Sequence, residues 1–227
     1  MLIYGRNVAL EAIKKEKIKK AYIYKDIVDR DIIGMLNCPV KYVDKMYLNK
    51  MVDGLHQGIV LDVEDYSYYD IEDVIDDEFI VMLDHIEDPH NFGAIIRTCE
   101  AAGVKSIVIP KDRSVEINGT VYKTSVGTLP YVKIVQVTNL TNTINYLKKN
   151  GYWIVGTDMN GTDYDKIDYK GKTVIIIGNE GSGISSLVYK NCDFMATIPM
   201  NGTTNSLNAS VAAGIVIFEA AKQRRNN

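Results

Sequence analysis

The apolar positions of this chain fall into two regimes. Beyond residue 78, six short runs rich in Val and Ile recur, at 79–83, 106–109, 132–137, 153–157, 173–178 and 194–198. Each is nearly unbroken in apolar character and short, as strands buried on both faces are. Helix-like stretches lie between them, at about 91–102, 140–150, 184–191 and 206–220. Strands alternating with helices predict an α/β domain with a mostly parallel sheet covered on both sides. Before residue 62 the pattern is mixed. Leu10, Ile13 and Ile18 sit in a Lys/Glu-rich, helix-like stretch, and 21–24 and 58–63 read as strands. That suits a compact α+β module of about 60 residues.

Charge separates the two regimes. Residues 1–61 hold 11 Lys and Arg against 7 Asp and Glu, whereas 62–78 hold nine acidic residues and no basic one. Like charges repel, so this block reads as an extended, solvated link. The expected organisation is a small α+β domain over 1–65, an acidic linker over 66–78 and a larger α/β domain over 79–227. The net charge of −3 is owed to that one block. It therefore argues only weakly against a nucleic-acid partner, because local positive surface is what holds phosphates. The start of the chain carries charges throughout and no unbroken apolar stretch, and no window reaches the length of a membrane span. A cytoplasmic location without a membrane partner is expected. Cys38, Cys99 and Cys192 are odd in number and widely spaced, so they read as buried apolar thiols in a reducing compartment.

Ligands of parallel sheets bind beyond the carboxyl ends of the strands. Three such ends are rich in polar residues. The first runs Asp84-His85-Ile86-Glu87-Asp88-Pro89-His90-Asn91-Phe92-Gly93 and on to Arg97. Pro89 suits the first position of a helix, and Asn91 and Arg97 are polar functions on an otherwise apolar segment. The bland alternative is that Asn91 caps the helix and Arg97 faces water. The second is Gly178-Asn179-Glu180-Gly181-Ser182-Gly183, where three glycines allow tight turns and close approach of a ligand. Its spacing is not a dinucleotide fingerprint. Gly171-Lys172-Thr173 is no phosphate loop either, because Lys166 stands where a glycine is required. An ordinary glycine-rich turn remains open. The third end, Ile198-Pro199-Met200 followed by Ser206-Leu207-Asn208-Ala209-Ser210, leads into a helix that Ser206 can cap. His56, His85 and His90 are the only histidines and make no metal pattern, so no metal is expected.

Taken together, these segments resemble the SpoU family of RNA 2'-O-ribose methyltransferases. The resemblance rests on Asn91-x-Gly93-x-x-x-Arg97, on Gly178-Asn179-Glu180-Gly181-x-Gly183, and on Ile198-Pro199-Met200 with Ser206-Leu207-Asn208-x-Ser210. It spans about 79–220, with Lys123-Thr124-Ser125-Val126-Gly127 as a further segment. Tyr4-Gly5-Arg6-Asn7-Val8 and His56-Gln57-Gly58 resemble the ribosomal-protein-like RNA-binding module that many members carry. The resemblance implies a deep trefoil knot in the C-terminal domain, S-adenosyl-L-methionine as cofactor, and a homodimer with parts of both subunits around the active site. It implies cofactor contacts at Thr157, Gly178, Ile198 and Leu207. Arg97 matches the residue assigned to activating the ribose hydroxyl. Asn91, Glu180, Ser206 and Asn208 match residues that shape the site or position the ribose and its phosphate. The N-terminal module points to structured large-subunit rRNA, with a guanosine as target. Rival readings are the same chemistry on tRNA or on an rRNA adenosine, and an RNA-binding or ribosome-assembly protein without catalysis.

Overall fold

The computed structural model describes residues 1–26 and 30–225. They divide into two compact units: Met1–Ser67 with Glu116–Pro130, and Tyr68–Val115 with the chain from Tyr131 onward.

The first unit contains β1 (Leu2–Tyr4), α1 (Arg6–Lys15), β2 (Ile18–Tyr24), α2 (Arg30–Met35), β3 (Val40–Val43), α3 (Lys45–Met51) and β4 (Ile59–Val63). Its sheet runs β1-β4-β2-β3, with β4 antiparallel to β1 and β2, and β2 parallel to β3. The helical run ends before Ile18. The chain turns extended at Glu16, and Ile18 opens β2 opposite Val63. On one sheet face Tyr4, Val43 and Val60 pack with Leu48 of α3. His56 is buried and structural. Its Nδ1 accepts from Gly58 N at 2.9 Å, so Nε2 carries the proton and donates to Asn49 Oδ1 at 2.9 Å. Burial first, and the charge of Lys45 second, hold its pKa below the usual histidine range.

The second unit contains β5 (Phe79–Asp84), α4 (Pro89–Ala102) and β6 (Ser106–Pro110). The chain then returns to the first unit for α5 (Gly119–Thr124), which Asn118 caps by accepting from Thr120 N at 2.9 Å. The second unit resumes with β7 (Lys133–Val137), α6 (Leu140–Lys149), β8 (Trp153–Asp163), β9 (Thr173–Gly178), α7 (Ser186–Tyr189), β10 (Phe194–Thr197) and α8 (Ala209–Arg225). The six strands expected from sequence are all present, in the order β10-β8-β9-β5-β6-β7, and every pairing is parallel. Ile80, Met82, Val108, Val135, Ile154, Val174 and Ile176 pack against Leu140, Ile144 and Leu147 of α6 and Val188 of α7. Side chains alternate along a strand, so the intervening residues face the other way, where α4 and α8 bury Phe92, Ile95, Ile96, Ala213, Val216 and Ile217.

Two expectations need correction. The segment Glu116–Pro130, read as part of the catalytic domain, belongs to the first unit. There the Tyr122 hydroxyl donates to Glu16 at 2.9 Å, and the Lys123 ammonium donates to Leu55 O at 3.2 Å. The acidic block is also not an extended solvated link along its length. Tyr69 N donates to Ile134 O at 3.0 Å, and Ile71–Val74 form a 3-10 turn closed by a capping box between Asp70 and Asp73. The acids are spaced by Ile71, Val74 and Ile75, and these pack on the core while the carbonyls of Asp73, Ile75 and Asp77 accept from Lys133, Lys172 and Tyr152. Mutual repulsion is outweighed because the carboxylates keep their water while the apolar side chains leave it.

Candidate active site

Three segments meet beyond the strand ends of the second unit. The first leaves β5. Asp88 caps α4 by accepting from His90 N at 2.9 Å, and Pro89 takes the first helical position, as expected. Since Asp88 does the capping, Asn91 is released from that task, and its side chain is buried at 6% exposure. The second segment leaves β9 as a tight turn. Asn179 and Gly183 exchange backbone hydrogen bonds of 3.0 and 2.8 Å, and Asn179 Oδ1 accepts from Gly181 N at 2.9 Å. Asn179 Nδ2 ties the turn to His85 O at 2.8 Å. This fold-back needs a glycine at 178, because a Cβ there would lie 2.4 Å from the carbonyl carbon of Gly183. The third segment is the start of α8. Its cap is Asn208, not Ser206: Asn208 Oδ1 accepts from Ser210 N at 3.0 Å and from Ser210 Oγ at 2.5 Å. Ser206 is exposed, and its carbonyl accepts from Thr204 Oγ1.

Asn91, Glu180 and Asn208 join these segments. Glu180 Oε1 accepts from Asn91 Nδ2 at 2.6 Å, from Asn208 Nδ2 at 2.5 Å and from Ala209 N at 3.4 Å. Asn208 Nδ2 also donates to Asn91 Oδ1 at 2.9 Å. Both carboxamides therefore have one allowed orientation, because each oxygen and nitrogen is committed. The carboxylate lies at the amino end of a 17-residue helix, where the aligned peptide dipoles favour negative charge. Residues 28–117 positions apart in sequence are thereby pinned into one polar cluster of side chains.

The structure does not bring Arg97 into that network. It lies six residues after Asn91 on α4, about 240° round the helix, and is exposed with no partner among the described residues. The residues expected at the cofactor lie on or just beyond three adjacent strands and before α8, with Thr157 inside β8 just past its paired stretch with β9. Thr157 is on β8 and donates through Oγ1 to Ile176 O at 3.0 Å; Gly178 ends β9; Ile198 follows β10 directly; and Leu207 precedes the cap of α8. All four are partly buried.

A polar cleft of about 820 Å³ opens beside the same turn, lined by Asp84, His85, Arg113, Ser185 and Tyr189 among others. Asp84 was not singled out from sequence. It is 1% exposed, and its two oxygens hold His85 Nδ1 at 2.5 Å and Ser185 N at 2.6 Å. An acid ending a buried strand, followed by a polar loop, was the available signal. Among the described residues no group of three or more His, Cys, Asp or Glu is placed to hold a metal ion. The cysteines are free. Burial pushes the thiol of Cys192 up to about 12 and that of Cys99 higher, so neither is an activated nucleophile.

The profile described as the SpoU rRNA Methylase family matches residues 78–218, and that described as RNA 2'-O ribose methyltransferase substrate binding matches residues 2–69. A protein of Staphylococcus saprophyticus named for the TrmH family of tRNA/rRNA methyltransferases is 39% identical over 239 residues, covering 99% of this chain and 96% of that one. Its Bacillus subtilis counterpart YacO is 36% identical, covering 98% and 95%. Among solved structures, the SpoU methyltransferase AviRb of Streptomyces viridochromogenes in complex with AdoMet superposes with a TM-score of 0.87 at 22% identity, over 100% of this chain and 91% of that one, a likeness of fold. The AdoMet-bound rRNA methyltransferase of Sinorhizobium meliloti gives 0.83 at 27% identity, over 97% and 86%. Sequence and fold agree, and the chain belongs to the SpoU family of S-adenosylmethionine-dependent RNA methyltransferases, whose reaction is 2'-O-ribose methylation.

Proposed function

We propose that this enzyme methylates the ribose 2'-hydroxyl of a guanosine in large-subunit rRNA, acting in the cytoplasm as a homodimer whose catalytic unit carries a deep trefoil knot. The observation that carries the reading is the Asn91–Glu180–Asn208 network, which ties three strand-end segments into one rigid polar wall. The substrate-binding match over residues 2–69 and the likeness to the Sinorhizobium meliloti rRNA methyltransferase support rRNA over tRNA.

In this reading Thr157, Gly178, Ile198 and Leu207 hold the cofactor. The chemistry of that set fits. Partly buried apolar side chains and backbone groups at strand ends offer the mixed surface an adenosyl group needs. Bound S-adenosylmethionine supplies an electrophilic methyl on a sulfonium. Asn91, Glu180, Ser206 and Asn208 shape the site and position the ribose and its phosphate. Arg97 activates the hydroxyl. Guanidinium stays protonated, so its part is to stabilise the developing alkoxide while the proton leaves to water or a neighbouring phosphate. Its exposure and lack of an internal partner leave it available for that task. The exposed Val211 and Phe218, one face of α8, support a second subunit as their cover.

The test is a map of 2'-O-methylation across total RNA with and without the protein. One lost rRNA guanosine site, restored by adding the protein back, is expected. A tRNA or adenosine site would replace this substrate, and no change at any ribose would refute the reaction for this chain. With the mapped substrate, Arg97→Ala should lower turnover by at least about a hundredfold and leave cofactor affinity within about twofold. Near-normal turnover removes Arg97 from its role.

A further inference from the structure

The first unit carries a stack of aromatic rings and lysines whose inner ring, Tyr22, packs on the core and whose outer ring, Tyr47, is exposed. Lys20 and Tyr22 lie two apart on β2 and share a sheet face. Lys41 on β3 is the register partner of Tyr22, so it rises on the same side. The helix covering that face, α3, brings Tyr47 onto Tyr22, with ring centroids 6.2 Å apart and planes at 25°. The Lys20 ammonium lies 5.3 Å from the Tyr22 ring, and that of Lys41 lies 4.6 Å from the Tyr47 ring. Lys41 also donates to the Tyr47 hydroxyl at 3.3 Å.

Packing does not explain the outer half of this stack. The α3 residue that fills the core is its neighbour Leu48, fully buried, while Tyr47 is 41% exposed. Met46, beside it on α3, is exposed too, and so is Tyr42 on the other face of β3, the strand that forms the sheet edge. Lys45 and Lys50 are exposed on α3, Asp44 is spent as the helix cap on Tyr47 N, and Asp62, the register partner of Lys20, pairs with the N-terminal ammonium at 3.5 Å. Exposed rings offer a face to any base, and mobile ammonium groups lying on them are suited to phosphates.

We propose that Lys20, Tyr22, Lys41 and Tyr47 form a stacking platform for an unpaired nucleotide of the RNA substrate. Tyr47 takes the base, Tyr22 backs it from the core side, and Lys20 and Lys41 leave the rings for the flanking phosphates. This rests on the RNA reading above and adds that the first unit grips single-stranded rather than duplex RNA. Sequence tolerance follows, since every base has a π-face.

The test uses the full chain with two fluorescent probes, an oligoadenylate of about ten nucleotides and an RNA duplex of equal length. Tyr47→Ala should weaken oligoadenylate binding by about tenfold, and Tyr47→Phe should hold it within about twofold. Duplex binding should not change in either. Lys41→Gln should weaken the oligoadenylate and flatten its dependence on salt. On an rRNA transcript, Tyr47→Ala should raise KM and leave kcat unaltered. Oligoadenylate binding by Tyr47→Ala equal to wild type overturns the platform. So does equal loss on both probes with an unshifted melting temperature, which would mean plain charge attraction. The probes report binding without methyl transfer, so an error in the rRNA assignment would leave their outcome intact.

Discussion

Replacing Gly178 with alanine tests the strand-end turn directly. The added Cβ would meet the Gly183 carbonyl carbon at 2.4 Å and Ile184 N at 2.5 Å, against ordinary contacts of 3.4–4 Å. Both obstacles are backbone, so no side chain can rotate clear. The turn must retreat by about 1 Å, and the paired Asn179–Gly183 hydrogen bonds and the Asn179 bond to His85 O stand in its way. Overpacking of this kind costs about 1–3 kcal/mol. At about 2–4 °C per kcal/mol for a chain this long, the melting temperature should fall by about 2–12 °C. The turn also carries Glu180, and Gly178 itself is proposed above as a cofactor contact, so cofactor Kd measured by calorimetry should rise at least about tenfold. Gly34→Ala is the opposite case: an exposed helical glycine with nothing within 4 Å of the new Cβ. It should stabilise by up to about 1 kcal/mol through helix propensity alone. Unchanged melting and cofactor affinity in Gly178→Ala would refute the close approach on which the site's geometry depends.

Two further predictions follow from the same structure. Asn208→Ala removes both a helix cap and one arm of the Glu180 network, and should cost about 1 kcal/mol in denaturant midpoint while lowering kcat. Asn208→Asp keeps the cap but sets a second carboxylate against Glu180, so it should recover at most the cap's share of stability and no turnover; full turnover would mean that Asn208 serves the fold alone. On the alkaline side, burial raises the Tyr152 phenol from its ordinary 10.0 to about 12, with Asp77 adding to it, and burial raises Tyr122 and Tyr169 in the same direction. A group raised in the folded state contributes stability that is intact below its unfolded pKa and lost above it. Urea midpoints should therefore hold to about pH 10 and then fall toward pH 12, and Tyr152→Phe should shallow that fall.

The sheet was legible because its strands are buried on both faces, so nearly every position in them is apolar whatever the tertiary context. Residues 173–178 were bounded correctly for that reason, and their Gly178 marks where the turn begins. Segments whose structure depends on distant partners were not legible in the same way. The acidic block reads as a link by charge, and only the packing of Ile71, Val74 and Ile75 makes part of it a sheet-edge element. The helix Gly119–Thr124 is short, and nothing local states which unit it joins. At the start of α8, Ser206 and Asn208 are both able caps by residue type. The choice of Asn208 is decided by Asn91 and Glu180, which approach only in the folded chain. The site residues came from motif resemblance; their mutual hydrogen bonds could not.

The detour of residues Glu116–Pro130 into the first unit has a consequence for how the two units are joined. The chain passes between them three times, not once. The first unit is therefore not one continuous stretch of chain. Nor can it be cut away cleanly. Removing residues 1–67 would strip Tyr122 of Glu16 and Lys123 of Leu55, leaving a buried tyrosine and a helix without their mates inside the remaining fragment. Exchanging the first unit with that of a relative would have to carry two separated stretches of chain together, 1–67 and 116–130.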